Sequence, residues 1–388
     1  YLIMEDKIKA ILLIGSYLDT IGFNNGMYEF NFNKGKITNF QEACFINNMI
    51  LTDFLYKGGF ENFNIKKLNA SDDTIMMLYT GKVMTKKNIS FKEYQLEFTS
   101  CLKYLEDEHK RGTGIRTLES LRNLKKFSNP KIIFKFQSNG GGNGAAMRAS
   151  VIGIKYQKNL DELIKQALLA GKMTHTHPYG YLGSVAVAFF IKCALDNIVY
   201  FKWFTMFINL YDKIYKLANV SIEDEEYFNL FFTKIEEFYL NIKYYLNDGI
   251  PNGFFNINRI DEMLNNGFEP AFNGTNYEKM GSTGLGVVIF SLYFLFLSSK
   301  PRKNVKYKVE DLFNVNNLTT KDMETDWRLL FTLSTLNFGD NDTIGILCGN
   351  FYGAMYGFKK LPQLPFNDLE FYEELTLLAK KIHKVNIS

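Results

Sequence analysis

The feature that most constrains this chain is a helical period that hardly ever lapses. Apolar residues recur at helical spacing through 8–21, 43–55, 73–83, 94–105, 145–154, 160–169, 182–195, 201–217, 227–245, 287–297, 329–333, 344–358 and 372–382, the pattern of helices that each bury one face. Strand-like alternation is confined to 131–136 and 305–309. Turn-rich polar stretches at 24–35, 128–144, 247–258, 265–284 and 298–322 punctuate the helices without separating two compositions, and no internal repeat is visible. The expectation is an all-α fold, one large helical bundle in which residues 1–388 form a single domain.

Three of these stretches, 180–191, 281–297 and 344–358, are almost uncharged and rich in glycine and other small residues, so backbones can approach closely there and the centre of the bundle is expected among them. Segment 280–299 lacks charge entirely and is long enough to cross a membrane. Its glycines and hydroxyls, and the want of a second comparable span, favour a buried helix and no membrane partner. The formal net charge of +4 is mild for 388 residues, and short basic runs occur only at Lys66-Lys67, Lys86-Lys87, Lys359-Lys360 and Lys380-Lys381, which is a solvated surface and not a nucleic-acid footprint. Cys44, Cys101, Cys193 and Cys348 have neither paired spacing nor histidine neighbours at zinc-ligand intervals. They are expected to be reduced and mostly buried in a cytoplasmic protein. The apolar stretch 8–14 sits inside an amphipathic helix carrying Asp19, so no signal peptide is expected.

Two short acidic clusters, Ser71-Asp72-Asp73-Thr74 and Gly339-Asp340-Asn341-Asp342-Thr343, each open a hydrophobic helical stretch. Taken singly, either is a helix cap, because Ser, Asp and Thr oxygens accept bonds from unpaired amides and acidic side chains complement the helix dipole. A cap needs one carboxylate, however, whereas each cluster crowds two together, and that repulsion calls for a cation or for well-solvated helix ends. A hard divalent ion such as Mg²⁺ takes oxygen ligands, and two carboxylates plus a hydroxyl, contributed twice, could hold two such ions and activate water.

Between the clusters lies Ser138-Asn139-Gly140-Gly141-Gly142-Asn143-Gly144-Ala145-Ala146-Met147-Arg148, a glycine-rich loop running into a predicted helix. Its amides and the helix N-terminus could cradle phosphate, or the run is a flexible turn. Gly140-x-Gly142-x-x-Ala145 is also a degenerate dinucleotide fingerprint, but the alternating strands and helices of a nucleotide-binding sheet are absent elsewhere. His175 and His177 lie close together before an apolar helix. They lack a third ligand for zinc, which leaves lining a pocket or capping the helix.

In order, Ser-Asp-Asp-Thr (71–74), Gly-Asn-Gly-Ala-Ala-Met-Arg (142–148), Gly171-Lys-Met-Thr-His-Thr-His-Pro-Tyr-Gly-Tyr-Leu-Gly183 and Gly-Asp-Asn-Asp-Thr (339–343) followed by Ile-Gly-x-x-x-Gly resemble the ADP-ribosylglycohydrolase family. The Met-Thr-His-Thr-His-Pro (173–178) and Met-Tyr-Gly-Phe-Lys (355–359) segments look closest to its ADP-ribosylarginine hydrolases. The resemblance runs from Asp19-x-x-Gly22 and Asn25-Gly26-x-x-Glu29-Phe30 to the last helix. It implies an orthogonal all-α bundle with two Mg²⁺ ions, or Mn²⁺ in their place, held by Ser71, Asp72, Asp73, Asp340, Asp342 and Thr343. It further implies a pyrophosphate loop at Gly141, Gly142, Asn143 and Gly144, substrate-facing turns at Gly112-Thr113-Gly114 and Ser282-Thr283-Gly284, His175 in the same pocket and Glu29 on a loop near the metals.

Two departures stand out. Leu18-Asp19 replaces the family's usual Gly-Asp pair, and Leu285-Gly286 stands where arginine-specific relatives carry His-Asp, followed by an insertion up to Asp322. The expectation is an Mg²⁺-dependent hydrolase that removes ADP-ribose from arginine side chains of modified proteins, with Asp72 or Asp73 as base. It binds ADP-ribose and acts as a monomer. Alternatives are the same fold acting on serine-linked ADP-ribose, poly-ADP-ribose or O-acetyl-ADP-ribose, and a relative that binds ADP-ribose without turnover.

Overall fold

The first helix, Leu2–Phe23, lies along Asn341–Tyr356, more than three hundred residues later in the chain. Glycine permits this approach: Gly345, Gly349 and Gly353 recur every four residues and so share one helix face. A Cβ on Gly349 would lie 2.7 Å from the Ile14 carbonyl oxygen, one on Gly353 would lie 2.7 Å from the Ile11 Cα, and one on Gly22 would overlap the Asn341 backbone. Backbone therefore touches backbone, and the last turns of the first helix stand beside the first turn of its partner.

The computed structural model describes residues 2–32, 37–106, 111–247, 258–270, 279–302 and 319–387. Asp72–Met84 packs on both the first helix and the C-terminal helix Tyr372–Ile387. At the centre runs Pro178–Leu195, against Leu160–Lys172, Ser150–Lys155, Gly284–Leu297 and Asn341–Tyr356. Gly183 and Gly284 let two of these meet, since a Cβ on Gly183 would lie 2.7 Å from the Gly284 carbonyl oxygen. Aromatic side chains close the far end: Phe190 stacks on Trp203 at 5.8 Å between ring centres and meets Phe207 and Phe351 edgewise or tilted. The three small-residue-rich stretches are thus the buried middle of an all-helical fold.

Several local expectations need correcting. The stretch 131–136 is not a strand: Asn129 caps a short helix, Pro130–Ile133, accepting from the Lys131 amide at 3.0 Å, and proline opens its first turn. The other strand candidate, 305–309, lies outside the described residues. Two short strands form instead at Ser299–Pro301 and Met323–Thr325, paired antiparallel, inside and beside a stretch read as turns. The helix expected over 201–217 is broken into Trp203–Ile208 and Tyr211–Ala218, and that over 145–154 begins only at Ser150. Ile115–Lys126 and Asn258–Asn265 are helices that were not expected. The first buries Thr117, Leu118, Leu121 and Leu124 at helical spacing, a pattern present in the sequence but diluted by its charges. Gly284–Leu297 is buried throughout, as expected. Contrary to expectation, this helix has only 14 residues and is too short to cross a membrane; among the described residues the helix long and apolar enough to do so is Pro178–Leu195, and 94% of it is buried inside the fold. All four cysteines are free, and three are buried.

Candidate active site

Ser71 caps the Asp72–Met84 helix, its Oγ accepting from the Asp73 amide at 3.1 Å. Asp340 caps Asn341–Tyr356 through the Thr343 amide at 3.3 Å, and Asp342 accepts from that same amide at 3.0 Å. The plain capping role is therefore real, and it occupies Ser71 and Asp340. It leaves Asp72, Asp73 and Asp342 over. These meet at the junction that the glycine-lined helix pair creates, together with Asp19 from the first helix. Asp19, Asp73 and Asp342 can each present an oxygen within 4.8 Å of the other two, and none of Asp19, Asp72, Asp73, Asp340 or Asp342 is more than 5% exposed.

Asp19 was not assigned to the site from sequence. It accepts from the Ser71 amide at 3.3 Å and from the hydroxyls of Ser71 and Thr74, which knits the first helix to the Ser71 cap. The available signal was a lone carboxylate on an otherwise apolar helix face. Behind the same cap, Arg111 donates to both oxygens of Glu370, at 2.6 and 2.9 Å, and to the Ala70 carbonyl at 2.9 Å. Glu370 in turn accepts from the Ala70 amide at 3.0 Å.

Electrostatically this cluster is short of positive charge. Burial, followed by the neighbouring carboxylates, holds Asp72, Asp73 and Asp342 well above the usual carboxylate range. Burial pushes Asp19 up to about 6 against the pull of its hydroxyl donors. Glu29 is raised by burial, then by Asp340, Asp72 and Asp19. Asp73 Oδ2 is buried without a hydrogen-bond partner among the described residues. A divalent cation fits such a donor set, since it would satisfy the orphaned oxygen and invert the pKa shifts.

Glu29 is delivered to this place by its neighbours. Asn341 Nδ2 donates to the Tyr28 carbonyl at 2.9 Å and the Phe30 amide to the Gly339 carbonyl at 3.0 Å. With Glu29, a cavity of about 190 Å³ is lined by Asp72, Asp73, Gly112, Gly114, Arg116, Gly142, Asn143, Gly144, His175, Ser282, Asp340, Asp342 and Thr343, among others. Larger surface grooves, of about 690 to 730 Å³, contain none of these residues. Four of the expected site residues do not reach the cavity. Ser71 stands behind as cap, Gly141 and Gly284 pair backbone to backbone at 3.0 Å, and Thr283 caps Gly284–Leu297 by accepting from the Gly286 amide at 2.9 Å.

The glycine loop crosses the cavity floor in a different form from the one expected. It enters a single tight turn, Asn143–Ala145, and not a long helix, so a helix N-terminus adds little to anion binding. Its glycines are required for space, because a Cβ on Gly144 would lie 2.7 Å from His175 Cε1 and 3.0 Å from Thr117 Oγ1. The Asn143 amide is taken by the Ser282 carbonyl at 2.9 Å, whereas the amides of Gly142 and Gly144 donate to no protein group among the described residues. Asn143 Nδ2 donates to Asp340 Oδ2 at 2.8 Å and to the Gly281 carbonyl at 2.7 Å, which ties the loop to the acidic cluster.

Arg148 and Arg116 were also missed. Arg148 is fully buried, and burial lowers it to about 10. It donates to the Gly144 carbonyl, to the Ala170 carbonyl at 2.8 Å and to Thr174 Oγ1 at 2.7 Å, and Thr174 Oγ1 lies 2.7 Å from His175 Nδ1. Arg116, on the unexpected helix, bonds Gln137 at 2.8 Å and brings a cation to the cavity wall. Burial, then Arg148 and Arg116, holds His175 well below its ordinary range, so it is neutral at pH 7. His177 does what the capping alternative required: its Nδ1 accepts from the Tyr179 amide at 3.1 Å.

Fold and site together define a class of helical hydrolase in which buried carboxylates at helix mouths face a glycine-built cradle. The chain belongs to the ADP-ribosylglycohydrolase family, whose model matches residues 3–387. It is similar to ADP-ribosylhydrolase ARH1 of Dictyostelium discoideum, 25% identical over 98% of this chain and 94% of that protein. It is also similar to human ADP-ribosylhydrolase ARH3, 25% identical over 81% of this chain and 78% of that one. A solved ADP-ribosylglycohydrolase-related protein complex shares the fold, with a TM-score of 0.57 and 17% identity over 99% of each chain. As a member of this family the protein is a hydrolase that removes ADP-ribose.

Proposed function

We propose that the protein is an Mg²⁺-dependent hydrolase that cleaves the N-glycosidic bond between ADP-ribose and the arginine side chain of a modified protein. The observation that carries this reading is the hydrogen bond from Asn143 to Asp340. It joins a loop with two unclaimed amides, suited to a pyrophosphate, to a pool of carboxylates suited to divalent ions. The arginine linkage is supported by the residues at 173–178 and 355–359, which resemble those of the arginine-specific relatives.

Asp19, Asp72, Asp73, Asp340, Asp342 and Thr343 would hold two ions. Bound Mg²⁺ supplies positive charge that keeps these carboxylates ionised, orients ribose hydroxyls and lowers the pKa of water. The amides of Gly142 and Gly144 donate to phosphate oxygens, with Arg116 as counter-charge and neutral His175 at the loop's edge. One carboxylate of the Asp72–Asp73 pair takes the proton from the attacking water. The cavity is smaller than the roughly 300 to 1,000 Å³ of typical ligand sites, so a substrate as large as ADP-ribose extends beyond it toward the surface.

A second reading, hydrolysis of serine-linked ADP-ribose, poly-ADP-ribose or O-acetyl-ADP-ribose, is favoured by the similarity to ARH3. Release of ADP-ribose from arginine-modified and serine-modified peptides, with Mg²⁺ and with chelator, separates the two. The arginine reading requires metal-dependent release from the arginine peptide and little from the serine peptide. The reverse preference would establish the second reading, and binding without release from either would make the protein a reader.

A further inference from the structure

Glu269 is buried and takes no part in the chemistry above, yet its carboxyl reaches the turn at 281–284 from behind. Oε2 accepts from the Gly281 amide at 2.7 Å, and Oε1 accepts from the Thr283 amide at 3.0 Å and from Ser282 Oγ at 3.4 Å. That turn is the joint between the two halves of the site. On one side it pairs with the glycine loop, through Asn143 N to the Ser282 carbonyl at 2.9 Å and Gly284 N to the Gly141 carbonyl at 3.0 Å. On the other it adjoins Asp340, whose amide donates to the Met280 carbonyl at 2.9 Å.

Gly281 adopts φ +84°, and a Cβ there would lie 3.2 Å from the Asp340 Cβ. A side chain at 281 would thus be both strained and crowded, and without Glu269 the buried amides of Gly281 and Thr283 would lose their acceptor. Sequence supplies the room: the residue at 286 is glycine, and any Cβ on it would overlap the Glu269 carboxyl group. Burial pushes this carboxyl up to about 8 although its donors pull it down, which marks how closely the site encloses it.

We propose that Glu269 is a positioning residue that fixes the glycine loop relative to the acidic cluster, and that Gly286 is the space it requires. The inference rests on the ADP-ribose reading of the site. It predicts that Glu269→Ala and Gly286→Ala act on the same structural unit, since the new methyl at 286 works by displacing the carboxyl.

The test is calorimetric titration of ADP-ribose in Mg²⁺ into wild type, Glu269→Ala, Gly286→Ala and the double variant, well below each melting temperature. Each single change should weaken binding by about tenfold or more, because the buried amides of Gly281 and Thr283 are left unpaired. The double variant should lose no more than Glu269→Ala alone, because contacting residues are not additive. Full affinity in folded Glu269→Ala, or losses that add in the double variant, would overturn the proposal. Glu269→Gln keeps the side-chain volume and one acceptor oxygen, so it guards against variants that fail to fold. Hydrogen exchange over 279–286 should speed up in it, and unchanged exchange would equally count against Glu269. If wild type itself fails to bind ADP-ribose, the substrate reading falls and this inference falls with it.

Discussion

Among single residues, Asp340 carries two duties that substitution can separate. Its Oδ1 caps a helix and its Oδ2 accepts from Asn143. Asparagine caps about as well as aspartate, so Asp340→Asn should keep the fold but remove a ligand charge, as Asp342→Asn should. Turnover is expected to fall at least about a hundredfold in either, with a circular-dichroism melt close to wild type. Unchanged turnover in both variants, or full activity in chelator, would remove the metal from the reaction. The glycine loop gives a second contrast. A Cβ on Gly142 would lie 3.3 Å from His175 Nε2, whereas one on Gly144 would lie 2.7 Å from His175 Cε1. Gly144→Ala should therefore weaken ADP-ribose binding more than Gly142→Ala, and calorimetric titration of both variants checks the order. Gly142→Val should still exclude the pyrophosphate by bulk. The carboxylates and glycines were legible in sequence because each cluster is locally dense and oddly charged. Asp19, Arg116 and Glu269 were not, since each is a single residue whose role arises only from what packs against it.

Elements decide how precisely those residues meet. The glycine face at 345, 349 and 353 sets the distance between the first helix and Asn341–Tyr356, and only the Gly345 end adjoins the acidic cluster. Gly353→Ala and Gly345→Ala should each destabilise the protein, by about 1–3 kcal/mol for overpacking a close contact. Gly345→Ala alone should also weaken Mg²⁺ binding, because its Cβ would push on the Leu18 carbonyl, 3.0 Å away and next to Asp19. Denaturant melts with and without Mg²⁺ measure both effects. Equal responses to Mg²⁺ in the two variants would mean that helix spacing does not govern the site. Helix identity was readable from periodicity, since the core helices are long and strongly patterned. Breaks such as that after Ile208 escaped notice because apolar residues continue through them. The helical turn at Pro130–Ile133 was mistaken for a strand because alternation over six residues outweighed the proline and its asparagine cap.

For the whole molecule, the balance of charge makes stability depend on pH in a direction unusual for an acidic site. Asp19, at about 6, and Glu269, at about 8, bind protons in the folded state that they release when unfolded. Between their ordinary values near 4 and these raised ones the folded state holds more protons, so stability falls as pH rises. In chelator the melting temperature should be higher at pH 5 than at pH 8. Mg²⁺ displaces protons from its ligands, so its affinity should rise with pH and its stabilising effect should be largest at pH 8. Thermal melts at both pH values, with chelator and with Mg²⁺, read this directly. A melting temperature in chelator that climbs with pH would contradict the burial of these groups.

The pairing of the first helix with one near the other end of the chain also bears on how the protein is made. Tyr28 and Asn341, bonded across 313 residues, mark a contact that a growing chain cannot form until more than three hundred further residues have emerged from the ribosome. Such distant contacts slow folding, and chains of this size expose apolar surface while they wait. The first helix must therefore remain without its lifelong neighbour while those residues are made. Asp19, Asp72 and Asp73 stay apart from Asp340 and Asp342 until then, so the reactive centre cannot come into being before the helix Asn341–Tyr356 is made.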